Sequence, residues 1–261
     1  MKNIKKFVLI CLVFSPLYSM AWGALGHRIV GEIAESHLNN KAKKAVAKIL
    51  GNESMAIASN WPDFIKANPY YKNFSSWHYI NFKNGLTKPE FEFLLSADTD
   101  QDAFTAINFL VSKLKENKIA DSLKTQYLKL LIHIVGDIHQ PLHVGRQEDL
   151  GGNKIMVKWF DKETNLHSVW DGKLVNFQQL SYTEYARSIN FHSKEYKSKI
   201  QNSSVSEWLY ESYLISGEIY AKVKPNEKLG YNYNYNNIDI INKQLLKSGI
   251  RLAGLLNDIF G

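Results

Sequence analysis

Cysteine is almost absent from this chain: its 261 residues include one, Cys11. A single cysteine excludes an internal disulfide, so no cross-link of that kind stabilises the fold. It also excludes a metal site built on several thiolates, which leaves nitrogen and oxygen as the available ligand atoms. The chain has eight histidines, so a site of that kind has ligands to draw on.

Long apolar runs are missing too. The apolar run that begins at Phe7 is interrupted by serine and proline, and at roughly 10 residues it is too short to cross a bilayer as a helix, which takes about 20. Three lysines precede the run, and Ser19 and Ala21 form a small-x-small pattern after it. These features predict a cleaved signal peptide over residues 1–21, which makes Trp22 the first residue of the exported protein.

No stretch rich in proline, serine or glycine divides the chain, which has only six prolines. Residues 22–261 are therefore expected to form a single domain. Signal cleavage would remove three lysines and no acid, which lowers the formal net charge from +7 to +4. That mild basic excess favours a polyanionic partner without establishing one.

Apolar residues recur at spacings of three and four in seven segments, which predicts a mainly α protein. These segments are Leu25–Leu38, Ala42–Leu50, Ala103–Leu114, Leu123–Ile138, Tyr182–Phe191, Val205–Val223 and Ile238–Ile259. Alternation in Lys154–Phe160, followed by turn-forming residues, predicts a short β-hairpin near 154–166. The repetitive segment Tyr231–Asn237 is predicted to be a surface loop, because asparagine disfavours helix interiors and strands.

Two pairs of histidine and aspartate are spaced four residues apart, a spacing that puts both side chains on one face of a helix. The first pair, His133 and Asp137, lies in an apolar helix that Pro141 should stop, so that His143 is presented separately. The second pair is His167 and Asp171. One such pair is more often a hydrogen-bonded couple than a metal site, but two pairs in one chain shift the balance towards metal binding.

Three further segments offer ligands, each with an ordinary alternative. A free Trp22 amine could chelate a metal together with its own carbonyl oxygen, and His27 follows five residues later. Equally, Trp22 could be a buried anchor. Asp63 could be a helix N-terminal acid that interacts with the helix dipole, and His78 could be a core histidine.

Together these residues form a set of motifs in a fixed order: WGxxGH directly after the cleavage site, WxD, WHY, HxxGDxHQPLH, GGN and HxxWD. The set resembles the zinc-dependent single-strand nucleases of fungi, plants and bacteria, the S1/P1 (nuclease I) family. The resemblance runs from Trp22 to at least Asp171. It implies a mainly α, single-domain fold of the phospholipase C and nuclease P1 type.

The resemblance also implies three zinc ions with nitrogen and oxygen ligands. The first ion would be held by Asp63, His78, His133 and Asp137; the second by Trp22, His27 and Asp137; and the third by His143, His167 and Asp171. His37, His139 and His192 match no ligand position. They are assigned to packing, to hydrogen bonding behind the ligands and to the surface, respectively.

The activity implied by the resemblance is hydrolysis of single-stranded DNA and RNA to 5′-phosphate products, with 3′-nucleotidase activity as an addition. Asp63 and Asp137 would act through the metals, and Lys66 would contact phosphate where the family has arginine. Tyr79 and Asn81 would contact a base, and Asn153 of the GGN motif would also contact substrate. The protein is expected to be periplasmic or extracellular, to be a monomer and to have no stable membrane association.

Two other functions stay open at this point. A three-zinc phospholipase C shares the architecture and the N-terminal tryptophan ligand, but its pattern ends in glutamate where this chain has Asp171, and it has a longer gap before its first histidine. A zinc-buffering protein without catalysis is the other alternative. Adjacent dications repel one another, so a carboxylate shared between two of them is an unsuitable design for storage.

Overall fold

The computed structural model describes residues 22–116 and 118–261. Its elements begin with α1 (Ala24–Ser36), α2 (Asn40–Leu50), α3 (Met55–Ala58), α4 (Trp61–Ile65), a 3-10 segment (Pro69–His78), α5 (Lys88–Ser96), α6 (Ala103–Lys115), α7 (Asp121–Asp137) and a 3-10 turn (Pro141–Val144). They continue with β1 (Met156–Trp159), β2 (Lys162–Asn165), α8 (Leu166–Ser168), a π-helical turn (Val169–Lys173), α9 (Leu174–Asn176), α10 (Tyr182–Ile189), α11 (Lys194–Gln201), α12 (Val205–Lys222), β3 (Lys228–Leu229) and α13 (Tyr231–Phe260). The mainly α prediction is confirmed.

Helix starts follow local capping chemistry. The Asn39 side chain accepts hydrogen bonds from two backbone amides at the start of α2. Helices α10 and α12 each begin with a capping box, in which the first and fourth residues each accept a hydrogen bond from the other's backbone amide. The residues are Ser181 and Glu184 for α10, and Ser204 and Glu207 for α12. Each cap satisfies amides that have no partner inside the helix.

The long C-terminal helix α13 packs along α1, and this contact forms the centre of the core. Ile29, Val30 and Ile33 of α1 are fully buried there. The two helices approach closely at Gly249, where an added Cβ would lie 2.5 Å from Ile33 Cγ2. Because α1 also contacts α7, this packing fixes the helix that carries His27 against the helix that carries His133.

The predicted hairpin is confirmed. Strands β1 and β2 pair antiparallel with Trp159 opposite Lys162. The two turn residues, Phe160 and Asp161, both have positive φ, as a tight hairpin turn requires. Strand β3 adds to the free edge of β1 in a parallel arrangement, so the hairpin is part of a small three-stranded sheet.

The prediction of a surface loop at Tyr231–Asn237 is wrong: these residues form the first two turns of α13. Tertiary contacts override the weak helix propensity of asparagine. The Tyr233 hydroxyl accepts a hydrogen bond from Trp170 Nε1, Asn237 is buried, and Tyr231 packs edge-on against Phe160.

The predicted signal peptide lies outside the described residues. Within the described ranges, no helix combines the length and the apolar character that a membrane crossing demands.

Candidate metal centre

Helix α7 supplies the middle of the site. His133 and Asp137 lie one turn apart on its buried face, with His133 Nε2 3.3 Å from Asp137 Oδ2. Both side chains are fully buried. The helix ends at Asp137, and the chain then turns through residues 138–140 before Pro141 begins the 3-10 turn that carries His143.

The Asp137 carboxylate is the point where three histidines from separate segments meet. Its Oδ1 lies 3.2 Å from His27 Nε2, and its Oδ2 lies 2.9 Å from His78 Nδ1. The His27 ring stacks on the His133 ring with centroids 3.9 Å apart. Glycine at position 136 makes this approach possible, because a Cβ there would lie 2.8 Å from His27 Nδ1.

Asp63, on the short helix α4, reaches the same cluster. Its Oδ1 lies 3.7 Å from His133 Nε2 and 2.5 Å from Lys66 Nζ. Burial acts to raise the pKa of Asp63, but Coulombic interactions with His133 and Lys66 and the hydrogen bond from Lys66 outweigh it and hold that pKa below its usual value. Asp63 is therefore a carboxylate at neutral pH and not a simple helix-capping acid.

A second cluster is formed by His143, His167 and Asp171. His167 Nε2 lies 3.2 Å from Asp171 Oδ2, and His143 Nε2 lies 3.6 Å from Asp171 Oδ1. The HSVWD segment is not one regular α-helix: α8 passes into a π-helical turn at Val169, and both ligand side chains still face inward. Such π turns occur often at functional sites.

Gln140 holds Asp171 in place, a role that the sequence analysis missed. Its Nε2 donates a 2.5 Å hydrogen bond to Asp171 Oδ1, and its Oε1 accepts from the Leu142 amide at 2.6 Å. Gln140 is fully buried. It belongs to the HQPLH motif, so the signal was present, but the motif does not say which ligand the side chain would reach.

Trp22 is fully buried beside these clusters. The amide of Gly23 donates a 2.6 Å hydrogen bond to the Asp171 backbone oxygen, which ties the start of the described chain to the second cluster. A buried position is expected whether Trp22 is a metal ligand or a packing anchor. Its role as a ligand through a free amine therefore stays a prediction.

Main-chain carbonyl groups orient three of the histidines. Nδ1 of His133 contacts the oxygen of Ser59, Nδ1 of His143 contacts that of His78, and Nδ1 of His167 contacts that of Gly151, each at 2.6 Å. A carbonyl oxygen can only accept, so each Nδ1 carries the proton. The lone pair of each ring then lies on Nε2, which faces the cluster.

Electrostatics explain why these lone pairs are available. Burial lowers the pKa of His133 and of His143 to about 4, so both rings are uncharged at neutral pH. Burial also lowers the pKa of His27 well below its usual value, and the neighbouring histidines add to this effect. Burial raises the pKa of Asp171 to about 7 and that of Asp137 well above its usual value.

Several buried ligand atoms make no hydrogen bond among the described residues. They are His27 Nε2, Asp63 Oδ2, Asp137 Oδ1 and His143 Nε2. Buried polar atoms nearly always have a partner, and acceptor atoms that face one another call for a cation between them. Nitrogen and oxygen ligands with no sulfur suit zinc. The residues present therefore fit a metal centre.

Ligand atoms that lie within 4.8 Å of one another form three groups: His27 with Asp63 and His133; His78 with His133 and Asp137; and His143 with His167 and Asp171. The fold thus brings together all eight predicted histidine and aspartate ligands, from positions 27 to 171.

A family model described as S1/P1 Nuclease matches residues 22–261. The chain belongs to that family. It is 32% identical to Endonuclease 3 of Arabidopsis thaliana, over 99% of this chain and 96% of the relative. Nuclease P1 of Penicillium citrinum is 27% identical, over 92% of this chain and 98% of that protein. Nuclease S1 of Aspergillus oryzae is 32% identical over 58% of this chain and 53% of that protein.

Membership decides the class of activity. The protein is a nuclease, a hydrolase that acts on nucleic acid, and zinc dependence is expected of the family. The three buried groups of histidine and aspartate are consistent with that dependence. The phospholipase C and zinc-buffering alternatives lose their support, because the match over residues 22–261 is to nucleases.

Tyr79 and Asn81 of this nuclease line a cleft of about 870 Å³, whose lining includes none of the eight histidine and aspartate ligands. Tyr79 directly follows His78 and is 43% exposed. The Ile80 amide donates to the His143 oxygen, so this wall of the cleft is fixed to both clusters. Two of the predicted base contacts therefore share one opening.

Asn153 is not among the residues that line this cleft. It lies in the turn after Gly152, and its Nδ2 donates a 2.8 Å hydrogen bond to the Leu150 oxygen. Its predicted contact with substrate stays a prediction.

An acidic residue in the cleft was missed by the sequence analysis. Burial raises the pKa of Asp102 to about 7, and a hydrogen bond with the Asp98 side chain adds to the rise. Asp102 is therefore partly protonated near neutral pH, which reduces the repulsion between the cleft and a polyanion. Nothing in the sequence distinguishes Asp102 from an ordinary helix cap.

Proposed function

We propose that this nuclease is an exported endonuclease that cleaves single-stranded DNA and RNA to products with 5′-phosphates, and that it also has 3′-nucleotidase activity. The observation that carries the proposal is the shared Asp137 carboxylate, which faces His27 with one oxygen and His78 and His133 with the other. A carboxylate between two sets of ligands is suited to two metal ions held close together.

Three zinc ions would fit the ligands. The first would be held by Asp63, His78, His133 and Asp137; the second by Trp22, His27 and Asp137; and the third by His143, His167 and Asp171. Zinc supplies a Lewis acid that lowers the pKa of water and offsets charge on phosphoryl oxygens. No side chain would then be needed as a general base to deprotonate water. The titratable groups of the centre other than Lys66 are all predicted ligands, which agrees with this.

The protein residues contribute position and charge. Asp63 and Asp137 provide fixed negative charge that keeps cations together. Lys66 provides a positive charge that solvent can reach beside Asp63, because its side chain is 20% exposed while its Nζ contacts Asp63. A phosphate group that enters can take the second and third N–H groups of this ammonium. Lysine lacks the two-point fork of arginine, so its hold on a phosphate is less directional.

A preference for single strands is supported by the exposed ring of Tyr79 in the cleft. A base has to leave the stack before it can lie on the Tyr79 ring, and bases in single strands do so at lower cost. Asn81 offers both a donor and an acceptor and carries no charge, so it can pair with more than one base edge. We therefore expect weak base specificity.

The deciding experiment is digestion of matched single-stranded and double-stranded DNA and RNA, with zinc present or removed by a chelator, followed by end-group analysis of the products. We expect zinc-dependent cleavage of the single strands and 5′-phosphate ends. Equal rates on duplexes would contradict the strand preference, and 3′-phosphate ends would contradict the proposed chemistry. Phosphatidylcholine emulsions, offered to the same preparation, should not be hydrolysed.

Export is supported by the chemistry of Trp22. While Ala21 is attached, the Trp22 nitrogen is an amide with a delocalised lone pair and is a poor zinc ligand. Cleavage creates an amine that can bind zinc once it loses a proton. Protein with a methionine retained before Trp22 should bind about one zinc fewer and hydrolyse single-stranded DNA poorly, and removal of that methionine should restore both properties. Full activity and a full zinc count in the extended form would exclude Trp22 from the site.

A further inference from the structure

Two histidines outside the metal centre meet at the surface. His37 follows α1 and His192 lies between α10 and α11, 155 residues later in the chain. Their Nε2 atoms are 3.3 Å apart, and the His37 Nε2 is also 2.8 Å from Asn190 Oδ1. All three side chains are half-buried. Three potential ligand atoms from two separate segments thus converge on one point.

We propose that His37, Asn190 and His192 form a further binding site for a divalent transition-metal cation such as zinc, separate from the nuclease centre. Two imidazole nitrogens and one amide oxygen are ligands that zinc accepts. The 3.3 Å between the two Nε2 atoms matches the spacing of neighbouring tetrahedral ligands that each lie about 2.1 Å from one ion, whereas the 2.8 Å between His37 Nε2 and Asn190 Oδ1 would have to widen by about half an ångström. The proposal does not depend on the strand preference or the products of the nuclease reaction.

The hydrogen bonding at this point shows why a cation fits. His192 Nδ1 lies 3.2 Å from the Ser193 oxygen, which can only accept, so Nδ1 carries the proton and Nε2 keeps its lone pair. Asn190 Oδ1 is also an acceptor. Of the three atoms His37 Nε2, His192 Nε2 and Asn190 Oδ1, only His37 Nε2 therefore carries a proton. If this proton moves to Nδ1 of the same ring, a cation can take its place without any change in the charge of the ring.

The backbone favours positive charge here. His37 caps the C-terminal end of α1, and Asn190 caps the C-terminal end of α10. Helix C-termini carry partial negative charge; the last turn of α1 contains no basic residue to offset it, whereas the last turn of α10 contains Arg187. Lys197 also opposes binding, because its charge is close enough to act on His37, although burial is the larger influence on the pKa of that ring. We therefore expect weaker binding than at the nuclease centre.

A bound ion would join the end of α1 to the end of α10. Helix α1 also carries His27, but its packing against α13 and α7 already fixes that residue, so the nuclease centre should not depend on the further ion. Because the three ligands are half-buried, the ion would exchange with solvent.

The test is calorimetric titration of Zn²⁺ into zinc-loaded holoenzyme from which free zinc has been removed. The wild-type protein should take up one more equivalent. His37→Ala and His192→Phe should lose that equivalent while their nuclease rates stay unchanged; phenylalanine keeps the ring contact that His192 makes with Tyr196. Lys197→Gln should bind the extra ion more tightly, an effect that loss of packing could not produce.

Absence of an additional equivalent in the wild-type protein would overturn the proposal. The same would follow if His192→Phe, with an unchanged melting temperature, bound as much zinc as the wild-type protein. Unchanged affinity in Lys197→Gln would also count against this location.

Discussion

Gly136→Ala is the sharpest test of the geometry at the nuclease centre. Gly136 lies inside α7, where alanine would ordinarily favour the helix by about 1 kcal/mol. Here the added Cβ would lie 2.8 Å from Nδ1 and 3.2 Å from Cε1 of His27. Such contacts do not occur between relaxed atoms, so the His27 ring or the backbone of α7 has to move by several tenths of an ångström.

Two effects of opposite sign set the magnitude. Overpacking of a tight core costs about 1–3 kcal/mol, and the gain in helix propensity offsets about 1 kcal/mol of that. We expect a net loss of stability of about 0–2 kcal/mol, or a fall of melting temperature of at most about 8 °C for a domain of this size. Activity should fall more steeply, by about tenfold to a hundredfold, because misplacement of a ligand by less than 1 Å is costly to catalysis.

Gly217→Ala is the matched control. Gly217 lies inside α12, and a Cβ there meets no atom within 4 Å. This variant should keep full activity and gain up to about 1 kcal/mol of stability. The measurements are the initial rate on single-stranded DNA, the zinc content and the thermal unfolding of both variants. Wild-type activity and zinc content in Gly136→Ala would refute the close packing of His27 on α7.

Three further outcomes are expected. Asp137→Asn should lose more nuclease activity than Asp171→Asn, because the Asp137 carboxylate faces three histidines; equal losses with full zinc content in both would count against a shared ligand. Lys66→Arg should keep or improve turnover, and Lys66→Ala should lower the rate but not the zinc content; an unchanged rate in the alanine variant would make Lys66 a mere surface residue. Zinc binding to metal-free protein at pH 6 should release protons, because burial raises the pKa of Asp171 to about 7 and that of Asp137 well above its usual value. Titration heats that are the same in buffers of different ionisation enthalpy would contradict this.

The ligands could be predicted from the sequence because their spacing is local. Residues four apart on a helix share a face whatever the rest of the chain does, so His133 and Asp137 were expected to act together. The start of α13 could not be predicted in this way. Its asparagines favour a loop by propensity, and the contacts that keep it helical come from Trp170 and Phe160, more than sixty residues earlier.

Other features were hidden because they depend on which segments meet. The hydrogen bond from Gln140 to Asp171 joins residues 31 apart, and its existence depends on the path of the chain after α7. The pairing of His37 with His192 joins the ends of two helices, so these histidines were assigned separately to packing and to the surface. No periodicity in the sequence reports contacts of this kind.

The use of main-chain carbonyl groups behind the histidine ligands bears on how this enzyme can evolve. Every residue has a carbonyl oxygen, so the partner of His133 Nδ1 survives almost any replacement of Ser59 that keeps the local backbone path. The carbonyl that contacts His167 is different, because it belongs to Gly151. Gly151 has a positive φ, and a Cβ there would lie 2.4 Å from the Leu142 oxygen, so this position requires glycine. Because Ser59 is itself fully buried, a library of small residues at position 59 should retain active nucleases, whereas one that varies position 151 should retain few.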